Sequence, residues 1–371
     1  MLDVDPALLG ETGERAELRG VLRDFFAKVC TPADVRRHLE SERGHDPALW
    51  SRMATEIGVQ GMVIPPAYGG SGFDFADLAI VVEEAGRALL CAPLLSTVLA
   101  TYTLLLSGDG DARARYLPGI AAGTLTATVA GFDGAGGLRA DPVPGGWAGD
   151  GTADFVIDGS GADLILLAAR TPAGPALFAC DATAPGLVRT PRRVLDPTRP
   201  QALIALNRTP LTPIGQHGAG GVVARVLDIA RAALACEQVG GSAFALDATV
   251  AYVRQRSQFG RPIGSFQAVK HRLADLLVEL EAARSAAAYA VACVTGSSPD
   301  LPVAASAAQA VCSGTYRRAA AEYVQLSGGI GFTWEHPAHL YVRRARSAEV
   351  LFGSVDDNLA RLGVLLGLPA I

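Results

Sequence analysis

The sequence predicts three consecutive regions: an N-terminal α-helical domain (1–118), a central β-barrel or β-sheet domain (119–215) and a C-terminal four-helix bundle (216–371). Three observations predict this fold class. Residues up to Pro118 show helical periodicity interrupted by Pro and Gly. Short β-rich runs follow, separated by Gly, Pro and Asp. Beyond Val222 the apolar residues recur at helical spacing over long stretches.

The N-terminal region contains a loop flanked by helices. Ala48 to Gly58 forms a short amphipathic helix, and Ile64 to Gly72 (IPPAYGGSG) is a loop because its Pro and Gly residues exclude regular structure. A helix resumes from Asp77 to Leu90. Its Glu83 and Glu84 point about a quarter-turn or more apart. We therefore expect a solvated face with one buried polar contact, not a catalytic carboxylate pair.

The central and C-terminal regions differ in their periodicity. The runs LTATVA, DFVIDG, DLILLAA and ALFAC predict an antiparallel barrel or sheet. One apolar stripe then follows a helix, and further long helices are predicted from Ala243, from Phe266 to Gly296 and from Leu301 to Leu326. The stripe consists of Val223, Leu227, Ala230, Leu234 and Glu237.

Composition excludes several classes of function. The formal net charge of -5 argues against nucleic acid, which needs a concentrated basic surface. The six cysteines are scattered singly, which favours a reducing cytoplasm. The polar, acidic start has no apolar signal region, and the apolar run from Ala85 to Leu106 is interrupted by Pro93, so we expect neither a secretory signal nor a membrane span.

A glycine-rich loop begins the most informative stretch, QLSGGIGF from Gln325 to Phe332. Its glycines have no Cβ, so the backbone can turn sharply and approach a ligand closely. A GGIG loop alone is a weak signal, but the longer string resembles the C-terminal signature of the acyl-CoA dehydrogenase family. In that family Q-x-x-G-G-x-G-F holds the AMP half of FAD on the neighbouring subunit. The resemblance implies that Gln325, Gly328 and Gly329 bind FAD.

A second string, RSQFGRPIGSFQ, runs from Arg256 to Gln267. Arginine supplies a planar fork suited to pyrophosphate, and Phe259 offers a flat apolar face. The string resembles the family's R-x-x-F-G-x-x-I-x-x-F-Q element almost completely. By that resemblance Arg256, Phe259 and Gln267 contact FAD bound mainly to the partner subunit. A helix-capping role would explain Arg256 alone but not the whole string.

Both usual positions of the family's catalytic carboxylate lack an acid. A base must take the α-proton of the thioester, which requires a placed and partly desolvated carboxylate. Counted from Gly329, one position falls on Phe352, and the other precedes Arg231 and falls on Ala230. Glu237 lies two turns beyond Ala230, ~10 Å along the helix. Its burial favours a Glu paired with Arg or capping a polar gap, and Glu237 remains a candidate base.

The resemblance thins in the β region. The family's Thr-Glu-Pro-Gly-x-Gly-Ser-Asp loop corresponds to the segment from Ala130 to Gly137, which lacks the Glu-Pro and Ser-Asp elements. Phe155 and Ile157 stand where Trp and Thr are common in the family's Lys-x-Trp-Ile-Thr segment. Either this chain has lost the groups of its own flavin pocket, or its divergent sequence makes the same backbone contacts with other side chains.

No metal or dinucleotide motif accompanies these strings. The spacing of His336 and His339 is not that of H-E-x-x-H, Pro337 interrupts the helix that motif requires, and no third ligand is evident. The G-A-G-G runs near Gly134 and Gly218 lie outside any strand-turn-helix unit, so a Rossmann motif is not supported.

Together these features predict an FAD-dependent acyl-CoA dehydrogenase subunit that lacks the catalytic base and works in a heteromer. Its implied partners are an acyl-CoA thioester, a Glu-bearing dehydrogenase subunit and an electron-transfer acceptor, and steroid side-chain thioesters are one substrate class of such heteromers. Two alternatives remain open. One is a self-sufficient homomer using Glu237, and the other is a flavin-independent acyl-thioester binding or structural protein.

Overall fold

The computed structural model describes residues 10, 12–39, 41, 44–132, 137–215 and 218–368. Its helices are α1 (Gly13–Val29), α2 (Pro32–Leu39), α3 (Pro47–Arg52), α4 (Phe75–Arg87), α5 (Leu94–Leu106), α6 (Gly110–Ala121), α7 (Gly220–Gln255), α8 (Gln267–Thr295), α9 (Leu301–Ser327), α10 (Ala338–Ala348) and α11 (Val355–Leu365). Its strands are β1 (Ala127–Ala130), β2 (Arg139–Val143), β3 (Gly146–Ile157), β4 (Leu164–Thr171), β5 (Gly174–Asp181), β6 (Leu187–Pro191), β7 (Gln201–Ile214), β8 (Ser257–Gln258) and β9 (Arg261–Pro262). The predicted order of helical, β and helical regions is confirmed.

The central strands form a closed ring. In order around it, β4 pairs with β5, β5 with β7, β7 with β3 and β3 with β2, and Arg139 of β2 pairs back with Arg170 of β4. The interior is apolar and includes the fully buried Ile165, Phe178 and Ile204. The β1–β4 and β2–β4 pairs are parallel, so the expectation of a purely antiparallel sheet was wrong at these two pairs.

One compact unit comprises Arg37–Asp74 and Cys91–Ala230 and therefore includes the barrel, α3, α5 and α6. Side chains join its helices to its strands. Asp109 caps α6 by accepting from the Ala112 amide, and it also accepts from the Gly215 amide at the end of β7 at 2.8 Å. The Ser96 hydroxyl of α5 donates to Asp158, just after β3, at 2.6 Å.

The other compact unit comprises Met1–Arg36, Phe75–Leu90 and Arg231–Ile371. The helix that we expected to begin at Ala243 is not separate, because α7 continues without a break from Gly220 to Gln255. Gly240 and Gly241 do not end it, since both sit at close contacts with neighbouring elements. A Cβ on Gly241 would lie 2.5 Å from the ring of Tyr316.

Helices α4 and α7 touch backbone to backbone. A Cβ on Gly240 would lie 1.8 Å from the carbonyl oxygen of Glu83, and one on Gly86 would lie 2.2 Å from that of Glu237. Real Cβ atoms do not approach backbone that closely, so only glycine permits this crossing. The two glycines therefore fix the distance between α4 and α7.

Arginines of α1 engage both acids of α4. Glu84 is 2% exposed and accepts from Arg19 at 3.0 Å and from Arg23 at 2.6 Å. Glu83 is paired with Arg19 at 2.9 Å, and burial is the largest cause raising its pKa. The expected buried polar contact is confirmed by Glu84, whereas the expected solvated face was wrong for Glu83, because Arg19 of α1 lies against it.

Candidate functional site

The glycine-rich loop caps the C-terminal end of α9. Gly328 has φ +67°, a left-handed conformation that glycine adopts without strain, and a short 3₁₀ turn runs from Gly328 to Phe332. A Cβ on Gly331 would lie 2.6 Å from the Val324 carbonyl oxygen, whereas one on Gly328 or Gly329 would meet nothing within 4 Å. Gly331 therefore serves packing, while Gly328 and Gly329 leave exposed backbone beside open space.

A cavity of ≈ 530 Å³ lies next to this loop, within the unit that contains α9 and α10. Gln325 and Gly331 line it, together with the aromatic Phe332 and Trp334, which are 90% and 69% exposed. The His339 ring also lines it and contacts Trp334 edge to face at 4.9 Å. Burial lowers the pKa of His339, which favours a neutral ring.

Three arginines add positive charge to this cavity. Arg317, Arg343 and Arg346 line it, and the Arg343 guanidinium lies 5.0 Å from the centre of the Trp334 ring. Glu349 pairs with Arg317 at 3.5 Å and with Arg346 at 3.2 Å, so one carboxylate faces two of the three cations. An aromatic surface beside arginine forks suits a planar group that carries phosphate.

The second predicted string forms a short hairpin between α7 and α8. Strands β8 and β9 pair through Ser257–Pro262 and Gln258–Arg261. The turn presents Phe259, which has φ +52° and is 91% exposed. Left-handed backbone is unfavourable for a residue with a Cβ, so the hairpin holds this aromatic ring outward against a local strain.

Arg256 precedes the hairpin and Gln267 begins α8 beyond it, and both are exposed. Ile263 donates its amide to the Arg256 carbonyl at 2.8 Å, which closes the loop. The hairpin residues, Gly328 and Gly329 are not among the described residues that line the cavity near Trp334, whereas Gln325 is. The predicted cofactor contacts thus lie on two distinct features of this unit.

The loop from 349 to 354, which contains the predicted base position at Phe352, is held through its carbonyl groups. The Arg231 Nε donates to the Phe352 carbonyl at 3.0 Å. The Gln309 amide donates to the Leu351 carbonyl at 3.2 Å, and the Asn358 amide donates to the Gly353 carbonyl at 2.8 Å. Ser354 then caps α11. Phe352 itself has φ +59°, so the loop keeps a demanding conformation.

Neither position predicted for the base carries an acid. Phe352 is half-buried in this loop, and Ala230 is fully buried in α7 immediately before Arg231. The sequence alone did not indicate that Arg231 and the Phe352 carbonyl, 121 positions apart, are hydrogen-bonded. A buried alanine and an aromatic side chain have no group that can accept a proton from a carbon acid.

Glu237 lies inside a buried ion pair. Its Oε1 is 3.3 Å from Nη1 of Arg344, and the two side chains are 9% and 3% exposed. Arg344 also reaches the Leu90 carbonyl at 3.5 Å. If this carboxylate acted as a base and took up a proton, it would lose its negative charge and with it the ion pair with Arg344. The sequence pattern identified Glu237 as buried, but adjacent Arg343 and Arg344 gave no sign of which one would face it.

Within the expected flavin segment of the barrel, residues 133–136 lie outside the described residues. Phe155 is described and occupies a bulge of β3 with φ +52°, 59% exposed. Arg192 holds the preceding Asp154 with two hydrogen bonds of 2.7 Å. Ile157 is buried, and its carbonyl accepts from Thr128 at 2.6 Å. The bulge therefore presents an outward aromatic ring from a fixed backbone.

His336 and His339 have contacts of their own. The Ala338 amide donates to Nδ1 of His336 at 3.3 Å. Within the described stretches of the chain, no group of three His, Cys, Asp or Glu side chains is arranged to hold a metal ion. Over the same residues, no helix combines the length and apolarity that a bilayer span requires.

Comparison with known proteins identifies the family. Residues 12–124 match the model of the acyl-CoA dehydrogenase N-terminal domain, and residues 218–362 match that of the acyl-CoA dehydrogenase C-terminal domain. Acyl-CoA dehydrogenase IpdE2 of Mycobacterium tuberculosis is 38% identical over 356 residues, which cover 94% of this chain and 96% of the relative.

Two solved structures are similar along nearly the whole chain. One is described as the Tcur3481-Tcur3483 steroid ACAD G363A variant, with a TM-score of 0.88, 33% identity, and coverage of 95% of this chain and 98% of that one. The other is the ChsE4-ChsE5 complex from Mycobacterium tuberculosis, with a TM-score of 0.89, 28% identity, and coverage of 98% and 100%. The two domain matches and the 38% identity show that this chain belongs to the acyl-CoA dehydrogenase family.

Proposed function

We propose that this chain is the subunit without a catalytic base in a heteromeric acyl-CoA dehydrogenase, which introduces an α,β double bond into an acyl-CoA thioester. One observation carries the proposal. Ala230 and Phe352 occupy both usual base positions, yet the loop around Phe352 is still held by Arg231, Gln309 and Asn358. A loop kept in place without its acid fits a subunit that retains the architecture and leaves proton abstraction to a partner.

The relatives support a heteromer and a steroid-derived acyl group. One similar structure is described as a steroid ACAD with two named components, and another as a complex of two named proteins. We therefore propose a Glu-bearing family member as the partner subunit, a thioester with a bulky steroid-derived acyl group as the substrate, and an external electron-transfer acceptor for the reduced cofactor.

The family's cofactor is FAD, which accepts the hydride from the β-carbon when it is bound. The residues present fit its AMP half. The hairpin offers the exposed Phe259 ring and the Arg256 fork, and Gln325 lies at a cavity lined by arginine and tryptophan side chains. We propose that FAD shared with the partner subunit is held by six residues, namely Arg256, Phe259, Gln267, Gln325, Gly328 and Gly329.

The chain's own residues then have three tasks in the proposed complex. The arginine forks bind phosphate oxygens, because a planar guanidinium donates two parallel hydrogen bonds. The exposed aromatic rings cover the cofactor and exclude water. Arg231 keeps the Phe352 loop in position. None of these tasks moves a proton from the thioester, which is why the proposal assigns the base to the partner.

The alternative of a homomer with Glu237 as base has weaker support. Glu237 is buried, as a strong base would need to be, but it is paired with Arg344. A protonated Glu237 would leave the buried guanidinium without this counter-charge, which is unfavourable.

Co-expression with a Glu-bearing relative tests the proposal. The measurements are the flavin-to-polypeptide ratio, the native mass and the turnover of this chain alone and of the co-purified assembly. We expect a colourless, inactive chain alone, and an active mixed assembly with one flavin for each pair of unlike subunits. A homomer with one flavin per chain and full turnover would refute the proposal.

A pair of variants tests the cofactor contact. Arg256→Gln removes the proposed fork, and Arg254→Gln removes a neighbouring exposed arginine on the last turn of α7. The first should lower the flavin content of the mixed assembly, and the second should leave it unchanged. Equal flavin content in both variants would remove Arg256 from the proposed site.

A further inference from the structure

A second cavity, of ≈ 480 Å³, lies among α1, α4, α7 and α8, far along the sequence from the loop at Gly328. Its volume is in the range of small-molecule sites. Arg15, Arg19 and Arg23 reach it from successive turns of α1, since residues four apart share one helix face. Arg284 reaches it from α8. Four guanidinium groups thus converge on one space.

This cavity uses a different face of α7 from the one that carries the base position and Glu237. Cys236 and Val239 are the α7 residues that line it. At 3.6 residues per turn, Val239 is rotated by about 180° from Ala230 and by about 160° from Glu237. Cys236 is rotated by about 100° from Glu237, and neither Ala230 nor Glu237 is among the described residues that line the cavity.

Carboxylates of α4 neutralise most of the positive charge in this cavity. Arg15 pairs with Asp77 at 3.0 Å, Arg19 pairs with Glu83 at 2.9 Å, and Arg23 pairs with Glu84 at 2.6 Å. Three carboxylates of α4 thus face three arginines of α1. These three arginines are thus engaged in ion pairs with α4. Arg284 is the remaining arginine of the cavity that can bind a ligand.

The hydrogen-bonded counter-charge of Arg284 is exposed. Its Nη1 donates to Glu281, three residues earlier on α8, and that carboxylate is 56% exposed. Exposed pairs of this kind are weak and readily exchanged. Glu83 is close enough to be stabilised by the charge of Arg284, but its ion pair is with Arg19. Among the described residues, Nε and Nη2 of Arg284 have no hydrogen-bond partner. That edge of the guanidinium is a two-point donor for one carboxylate.

Apart from Gly10, Cys236 and Glu83, whose carboxylate is paired with Arg19, the remaining lining is aliphatic. It consists of alanine, isoleucine and valine side chains from α4, α7 and α8, namely Ala76, Ala79, Ile80, Val239, Ala287 and Val291. No aromatic ring belongs to the described lining, so a nucleotide base would have no ring to stack on. The space combines one available cation with an apolar wall, which suits a single anionic group on an aliphatic body.

We propose that this cavity binds an aliphatic monocarboxylate, with its carboxylate on Arg284 and its hydrocarbon chain against the aliphatic wall. The site is independent of the FAD contacts and of the base position, and so it does not rest on the proposed dehydrogenase role. It would give the protein a second small-molecule ligand besides its thioester.

Calorimetric titration of octanoate into the full-length protein, in the assembly in which it purifies, tests this proposal. Octan-1-ol and octylammonium serve as ligands of the same length without a negative charge. We expect octanoate to bind at least tenfold more tightly than either. No octanoate binding, or equal affinity for octanol, would overturn the proposal.

Three variants locate the binding. Arg284→Gln should weaken octanoate at least tenfold, and Ala288→Phe should do the same without a change of charge, because Ala288 also lines the cavity and its added ring would fill the space. Arg52→Gln removes an arginine of a similarly exposed intrahelical pair elsewhere and should change nothing. Octanoate affinity that is unchanged in both cavity variants would place the ligand elsewhere and overturn the assignment.

Discussion

The buried pair of Glu237 and Arg344 gives the sharpest prediction. In Glu237→Gln the side chain keeps its size but loses its charge, so Arg344 remains in a space where it is 3% exposed. At 3.3 Å and an effective dielectric constant of ~20, the lost attraction is about 5 kcal/mol. Breaking one side of a buried pair typically destabilises a protein by about 3–5 kcal/mol. We expect a loss in that range.

Urea unfolding of wild type, Glu237→Gln, Arg344→Met and the double variant measures this loss. The double variant should recover most of it, since replacing both side chains removes the buried charge that lost its pairing with Glu237. Glu56→Gln is the control, because the Arg52–Glu56 pair is exposed and should not shift the midpoint. A Glu237→Gln chain that unfolds at the wild-type urea concentration would refute the reasoning. If the same variant also abolished turnover in the assembled enzyme, Glu237 would become the leading base candidate.

Three further predictions concern the packing, the loop and the pH dependence. Gly240→Ala should lower the free energy of unfolding by roughly 1–3 kcal/mol because its Cβ meets the Glu83 carbonyl. Gly314→Ala is the control at a helical position with open space, and it should raise the free energy of unfolding by up to about 1 kcal/mol. Chemical denaturation compares the two variants, and equal effects would contradict the close contact between α4 and α7. Phe352→Glu should leave the turnover of the mixed assembly unchanged, because the proposed assembly has one flavin for each pair of unlike subunits and the partner already supplies its base. Additional turnover at unchanged flavin content would contradict the proposed division of roles. The raised pKa of Glu83 means that the folded chain binds its proton more tightly than the unfolded chain does. The stability that this proton contributes at low pH should therefore be lost as pH rises from about 4.5 through the raised pKa of Glu83. Glu83→Gln should lack this pH-dependent loss when urea midpoints of the variant and the wild type are measured across pH. Parallel curves of midpoint against pH for the two proteins would refute the prediction.

Local signals in the sequence predicted the order of the three regions and the family. The β-rich runs and the helical stripe report backbone periodicity, which each segment carries in its own residues. The run DLILLAA, for example, gives β4, and Asp77 to Leu90 gives most of α4. The separate helix predicted from Ala243 was wrong, because α7 continues through Gly240 and Gly241, where the Glu83 backbone and the Tyr316 ring occupy the space that a side chain would need.

Pairings over long sequence distances could not be predicted in this way. The Arg231 bond to Phe352 and the Arg344 pair with Glu237 join segments more than a hundred residues apart. Composition gives no partner for either arginine, and Arg343 and Arg344 look alike until the structure places one over Trp334 and buries the other. The assignments of FAD contacts and of the missing base stay predictions, since they concern a cofactor and a partner subunit.

The loop around Phe352 has one more consequence. Arg231, Gln309 and Asn358 all bond to main-chain carbonyl oxygens, which every amino acid possesses. The hydrogen bonds that shape the loop are therefore indifferent to which side chain stands at position 352. An acid at position 352 would therefore meet the same main-chain frame that now holds Phe352.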